Sequence, residues 1–68
     1  KAIVQTVKGI TKPMYYYLYD VMGNLVKQGK SNTDRFTIDV HDLPGGVYFL
    51  KIFNGYNIEV VTDKIIIQ

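Results

Sequence analysis

The amino-acid sequence predicts an all-β domain, built as a sandwich or barrel of short antiparallel strands. Val, Ile, Thr, Tyr and Phe are abundant, and such branched and aromatic side chains pack well on a pleated sheet, whereas the helix formers Leu and Ala are scarce. Turn signals recur at short intervals, which is typical of sandwiches and barrels. They lie at Gly9, Lys12-Pro13, Gly23-Asn24, 29–32, 44–46 and Asn54-Gly55.

Seven short strands fill the intervals between these turns. The predicted strands span 2–8, 14–21, 25–28, 36–40, 47–53, 58–61 and 64–67. Gly23-Asn24 predicts a tight hairpin after the second strand, because glycine and asparagine tolerate the positive φ of primed turns. Asn54-Gly55 predicts another hairpin after the fifth strand for the same reason.

The register of this later hairpin stays open at the level of sequence. A two-residue loop would place Phe49, Lys51 and Phe53 on the face of Ile58 and Val60. A three-residue loop with a glycine bulge would place the alternate residues of the fifth strand there, because a slip of one residue exchanges the two faces. The fifth strand is apolar at nearly every position, so alternation does not decide between them.

The second strand, MYYYLYD, carries aromatic rings on both faces. Residues two apart share a face, so Tyr16 and Leu18 are predicted to face the core. Tyr15, Tyr17 and Tyr19 then lie together on the other face. They either cover the sheet or form a docking or dimer surface, since exposed aromatic patches often mark contacts.

Size and composition exclude several classes of function. The 68 residues form a single domain, 1–68, and chains of this size bury only about 60% of their unfolded surface. The sequence has no cysteine and one histidine, His41, so no metal or other cofactor is expected. The eight basic residues are scattered, which argues against nucleic-acid binding. No apolar run approaches the roughly 20 residues that membrane insertion requires.

No residue pattern predicts an enzyme. The sequence lacks the glycine-framed nucleophile and phosphate-binding motifs, and its one serine, Ser31, lies in a polar turn. Asp39, His41 and Asp42 are clustered, but they end a strand just before Pro44, where polar side chains bind turn backbone. A catalytic role is therefore not expected.

Several residues are predicted to shape turns. Asp20 precedes a turn, where its carboxylate can accept hydrogen bonds from backbone N–H groups. Gly23 supplies backbone freedom in the same turn. Pro44 fixes φ before the fifth strand begins. Asn54 and Gly55 form the later turn.

The final stretch, TDKIIIQ, is a β-branched run. Such a strand must be paired, because an unpaired apolar strand invites aggregation. It either closes the sheet or serves as a handle that another protein recognises.

Three stretches in fixed order resemble the C-terminal sorting domain of type IX secretion in Bacteroidetes. They are YLYDVMGNLVKQG, IDVHDLPGGVYFLKI and the final TDKIIIQ. The residues that match the family pattern are Tyr19-Asp20, Gly23, Leu25-Val26, Ile38, Leu43, Pro44, Gly46, Tyr48, Lys64, Ile65, Ile66, Ile67 and Gln68.

The resemblance implies a seven-stranded, Ig-like antiparallel β-sandwich that acts as a secretion signal rather than an enzyme. The cargo would be covalently linked on the N-terminal side, as expected for a fragment of a larger secreted protein. It would pass through the periplasm and cross the outer membrane to the cell surface or the medium. A surface sortase would then remove the domain and attach the cargo to the cell surface. By the same resemblance the signal residues are Gly46, Tyr48, Lys64, Ile65, Ile66, Ile67 and Gln68.

The resemblance also favours one register for the fifth strand, with Tyr48, Leu50 and Ile52 toward the core. Phe49 and Phe53 would then face outward, where a second copy or the secretion machinery could bind. The alternative function is an Ig-like accessory module of an adhesin or a carbohydrate-binding protein, since tyrosines can stack on sugar rings. Saturable binding on a glycan array would favour that alternative.

Overall fold

Six β-strands form over the part of the chain that the computed structural model describes, residues 2–7 and 12–68. The all-β prediction is confirmed. None of the described segments is a helix long and apolar enough to cross a membrane. The turn predicted at Gly9 and the predicted end of the first strand at Lys8 lie outside these residues. The strands are β1 (Ala2–Thr6), β2 (Met14–Asp20), β3 (Leu25–Ser31), β4 (Arg35–Asp39), β5 (Gly46–Phe53) and β6 (Glu59–Ile67).

The strands form two antiparallel sheets. The larger has the order β3-β2-β5-β6, and β1 pairs with β4 in the smaller one. Both predicted hairpins occur, β2 with β3 and β5 with β6. Strand β5 is therefore hydrogen-bonded on both sides, and its two faces are covered by different sets of side chains.

Side chains from both sheets share one apolar core. On β5, Tyr48, Leu50 and Ile52 are buried, which confirms the predicted facing of this strand. Leu18 of β2 is buried beside them, and the Tyr16 ring lies edge-on to Phe36 of the smaller sheet at 5.4 Å between centroids. The buried core consists of Val7, Met14, Leu18, Phe36, Ile38, Val40, Tyr48, Leu50, Ile52 and Ile67.

The prediction of separate strands at 58–61 and 64–67 is wrong, so the described residues contain six strands rather than seven. Both segments belong to β6, which pairs with β5 through the polar residues between them. Thr62 lies opposite Lys51, and Asp63 lies opposite Leu50. Because β6 is at the edge of the sheet, polar side chains there reach solvent without ending the strand.

The turn signal predicted at 29–32 is also partly wrong, because β3 continues through Gly29 to Ser31. Gly29 pairs with Tyr16 of β2, and a Cβ atom at Gly29 would clash with the Tyr16 ring. The glycine thus makes room for an aromatic ring within the sheet rather than turning the chain. The polar turn itself begins only after Ser31, whose hydroxyl donates to the Arg35 carbonyl at 2.9 Å.

Candidate functional site

The larger sheet brings the two groups of predicted signal residues together. The start of β5 pairs with the end of β6, so that Gly46 lies opposite Ile67 and Tyr48 lies opposite Ile65. Residues separated by about twenty positions in sequence therefore form one corner of the sheet. We call this set the terminal corner, and it comprises Pro44, Gly45, Gly46, Tyr48, Lys64, Ile65, Ile66, Ile67 and Gln68.

Tyr48 supports the terminal corner from the inside. Its side chain is only 6% exposed, and its hydroxyl donates a hydrogen bond to the Pro44 carbonyl at 2.6 Å. This bond closes the bend that leads into β5. A buried tyrosine needs such a partner for its hydroxyl, and here that partner is the backbone four residues earlier.

The glycine pair in this bend meets the end of the last strand. Gly46 has a φ of 152°, a conformation that residues with a side chain rarely adopt. A Cβ atom at Gly45 would lie 3.2 Å from the Ile67 carbonyl oxygen, closer than side chains normally approach. Gly45 was not predicted as a site residue, and the glycine doublet was its one signal in the sequence.

The five residues at the end of the chain divide between two faces. On the core side, Ile67 is buried opposite Gly46, and Ile65 is half-buried opposite Tyr48. Lys64 and Ile66 alternate with them and are exposed, Ile66 to 62%, and Gln68 is exposed beyond the strand. A partner can therefore contact Lys64, Ile66 and Gln68 on the folded chain, while Tyr48 and Ile67 are covered.

The two hairpin turns share one hydrogen-bonding device. The Asp20 Oδ1 atom accepts the backbone N–H groups of Met22 and Asn24 at 3.0 and 2.9 Å. These bonds, above all the one from Asn24, lower the pKa of Asp20 below its ordinary value of 3.8. Gly23 in this turn has a φ of 88°, which glycine adopts without strain.

In the later turn an asparagine takes the place of the aspartate. The Asn54 Oδ1 atom accepts the N–H groups of Tyr56 and Ile58, at 2.9 and 3.1 Å, again two and four residues ahead. The loop has three residues, 55–57, but neither of the two open registers occurs, because Ile52 lies opposite Val61 and Phe53 lies opposite Glu59. The positive φ of 62° belongs to Asn57 and not to Gly55. The expected glycine bulge is therefore wrong: the pairing shifts between Ile52 and Phe53, and the positive φ is at an asparagine, which also tolerates this conformation.

The opposite face of the larger sheet is aromatic. We call Tyr15, Tyr17, Tyr19, Phe49, Lys51 and Phe53 the outer aromatic face. The three tyrosines lie directly across from Phe53, Lys51 and Phe49, respectively.

Contacts on the outer aromatic face are aromatic and cationic. The Tyr17 and Phe53 rings meet edge-on at 5.6 Å, and the Lys51 Nζ atom is 6.0 Å from the centre of the Tyr19 ring. A groove of about 440 Å³ opens at its end between Tyr19 and Phe49. The face is therefore accessible to a partner.

The cluster around His41 is a turn. The His41 Nδ1 atom lies 2.8 Å from both Asp39 carboxylate oxygens, and the His41 N–H donates to one of them. These bonds, led by the backbone N–H, lower the pKa of Asp39. Asp42 forms an ion pair with Lys27 at 3.0 Å. Within residues 2–7 and 12–68, no three His, Cys, Asp or Glu side chains are arranged to hold a metal ion.

The comparison with protein families decides what kind of domain this is. The family model described as the secretion system C-terminal sorting domain matches residues 3–68. The chain belongs to this family. No curated protein and no solved structure matches the chain significantly.

A sorting domain of this family is a C-terminal signal for type IX secretion, and the family is not a family of enzymes. Its place in secretion implies recognition by the type IX machinery and attachment to a cargo. It also implies export across the outer membrane, to the cell surface or beyond. The family match includes both halves of the terminal corner.

The hydroxyl of Tyr48 should contribute measurably to the stability of the sorting domain. The substitution Tyr48→Phe leaves the Pro44 carbonyl without its donor and is expected to lower the free energy of unfolding by about 1–2 kcal/mol. Urea denaturation measures this change. Tyr56→Phe is the control, because Tyr56 is 72% exposed and its change should stay within about 0.5 kcal/mol. Equal effects of the two substitutions would contradict this role for Tyr48.

The Asp20 turn should make stability depend on pH. Because the pKa of Asp20 is lower in the folded chain, its contribution to stability is complete above the ordinary value of 3.8 and is lost as the pH falls through the folded value. Asp20→Ala is therefore expected to destabilise the domain at neutral pH, by a difference that shrinks in acid.

Asn54→Ala is the matched control, since it removes the same pair of turn bonds from a side chain that does not titrate. Its difference from wild type should stay nearly constant when unfolding in urea is repeated from neutral to acidic pH. A penalty for Asp20→Ala that is just as constant would show that the carboxylate charge is not involved.

Proposed function

We propose that the type IX machinery recognises this sorting domain at the terminal corner. The observation that supports the proposal is the pairing of the bend at Gly46 with the last strand at Ile67. Because of this pairing, the last strand has a fixed position in the folded domain. The recognition residues we propose are Gly46, Tyr48, Lys64, Ile65, Ile66, Ile67 and Gln68.

Within this set we propose two roles. Lys64, Ile66 and Gln68 are exposed and would contact the machinery directly. Tyr48 and Ile67 are buried and would act indirectly, by holding the strand in place. The turns at Asp20, Gly23, Pro44, Asn54 and Gly55 would keep the sheet in register and have no contact role.

The wider route follows from the family and is part of the proposal. A cargo joined on the N-terminal side of the domain would travel through the periplasm and then cross the outer membrane. A surface sortase would cleave the domain and attach the cargo to the cell surface. The domain itself would perform no catalysis, and its two sheets would pack as an Ig-like sandwich.

We further propose that the outer aromatic face can join two copies of the domain. Half-exposed rings such as Tyr15 and Phe49 support this, because aromatic residues on an accessible face are typical of protein contacts. Sedimentation equilibrium that fits a single monomeric species at all concentrations would exclude this homodimer.

The contact role of the last strand can be tested by surface display of a reporter cargo. The reporter carries the 68-residue domain at its C-terminus, in a bacterium with type IX secretion. Deleting residues 64–68 is expected to leave the reporter in the periplasm. Ile66→Asn should reduce display as well, because it places an amide where an exposed apolar contact is proposed, while the purified domain stays folded by circular dichroism.

Ile58→Asn is the matched control. Ile58 is also a largely exposed isoleucine, 57% against 62% for Ile66, but it directly precedes β6 at the opposite, hairpin end of the strand. Its substitution should leave display at the wild-type level. Protease accessibility on whole cells and cell fractionation measure the outcome. Normal display of the truncated reporter would refute the proposed recognition site, and equal effects at both isoleucines would refute the contact role of Ile66.

A further inference from the structure

Among residues 2–7 and 12–68, the last strand pairs with β5 along one edge and with no strand along the other. Residues of an antiparallel strand alternate between those that bond the neighbouring strand and those whose N–H and C=O groups point away. The Asn54 amide donates to the Ile58 carbonyl at 2.9 Å, which sets the phase of this hairpin. On β5 the residues two apart from Asn54, such as Leu50 and Tyr48, bond β6 in the same way. The register shift between Ile52 and Phe53 places Asp63 and Ile65 opposite them, so the backbone groups of Lys64 and Ile66 point toward the free edge.

The amide of Lys64 has a partner on this free edge. It donates to the Oδ1 atom of the preceding side chain, Asp63, at 2.9 Å. Asp63 lies opposite Leu50 on the core side of the sheet, and it is exposed. Its carboxylate therefore reaches the backbone at the free edge of the strand. The Lys64 N–H group, which points toward the free edge, is therefore already hydrogen-bonded to a side chain.

The same strand of a second copy can pair with this edge. In an antiparallel pair centred on Ile65, Lys64 would lie beside Ile66 of the second copy, and the β-branched run would pair with itself. A pair centred on Lys64 would instead place two lysines opposite each other, which is unfavourable. The favourable register needs the Lys64 amide as a donor to the second copy, and Asp63 already accepts that bond.

We propose that Asp63 closes the free edge of β6 against a second copy of this chain. Exposed edges of apolar strands pair readily between molecules, and inward-pointing charged side chains are one way in which proteins prevent it. The proposal concerns contacts between copies and goes beyond the proposed recognition by the secretion machinery. It assigns to Asp63 a role that none of the signal residues has.

Two substitutions at this position separate the hydrogen bond from the charge. Asp63→Ala removes both, and Asp63→Asn removes the charge but keeps a side-chain oxygen that can accept the Lys64 amide. Asp63→Ala is expected to strengthen self-association of the 68-residue chain about thirtyfold, because one amide per copy becomes free to bond across the dimer. Asp63→Asn should remain at the wild-type level. Sedimentation equilibrium over a range of concentrations measures both.

A third variant locates the new contact. Adding Ile66→Pro to Asp63→Ala removes the other outward amide that the dimer needs, at a position where the amide does not bond β5, and association should return to the wild-type level. Hydrogen exchange gives a second measure for variants that fold poorly, since the amides of Lys64 and Ile66 should become protected in Asp63→Ala as its concentration rises.

Each outcome bears on the proposal. It is overturned if Asp63→Ala associates no more tightly than wild type. It is also overturned if Asp63→Asn associates as tightly as Asp63→Ala, because charge rather than the capping bond would then be responsible. Association that persists in the variant with Ile66→Pro, without protection of the Lys64 amide, would place the contact elsewhere, such as on the outer aromatic face.

Discussion

The position of β5 between β2 and β6 is the constraint on which the larger sheet depends. Its backbone bonds strands on both sides, so neither edge is free. Its side chains alternate between the core, as at Leu50, and the outer aromatic face, as at Phe49. The strand is apolar at most positions because both faces are packed, one by the core and the other by tyrosine rings. The domain has 68 residues and no disulfide, so its stability depends on this dense strand pairing.

The same position explains how the bend and the last strand form one structure. The chain enters β5 through Gly45 and Gly46, where the missing side chains let the backbone pass close to Ile67. The Tyr48 ring is buried in the core, and its hydroxyl donates a hydrogen bond to the Pro44 carbonyl in the bend. Gly46 and Tyr48, which match the family pattern, thus each have a structural role in the bend. The bend is exposed, but a side chain added at Gly45 would press against the Ile67 carbonyl, so a change in the bend affects the last strand.

The facing of β5 was predicted from the family resemblance, because the strand is apolar at nearly every position. Local sequence patterns, namely turn residues and strand-forming side chains, predicted most of the strands. They failed where the deciding contact is between strands. Gly29 looks like a turn residue until the Tyr16 ring is placed over it. Thr62 and Asp63 look like a break until the edge position of β6 is known. Likewise, the choice of Asn57 over Gly55 for the positive φ depends on loop geometry. The bond from the Lys64 amide to Asp63 has no signal in the sequence.

A signal carried by a strand faces two opposed physical demands. Its apolar side chains must be exposed enough for a partner to bind them. An exposed apolar strand at a sheet edge, however, also pairs with the same strand of other molecules. In this chain the two demands act on different groups. The recognition that we propose uses side chains, such as the exposed side chain of Ile66, while edge pairing uses backbone amides, such as that of Lys64. Asp63 occupies the Lys64 amide and leaves the Ile66 side chain exposed. The strand can therefore resist edge pairing with another copy while a partner still contacts its exposed side chains.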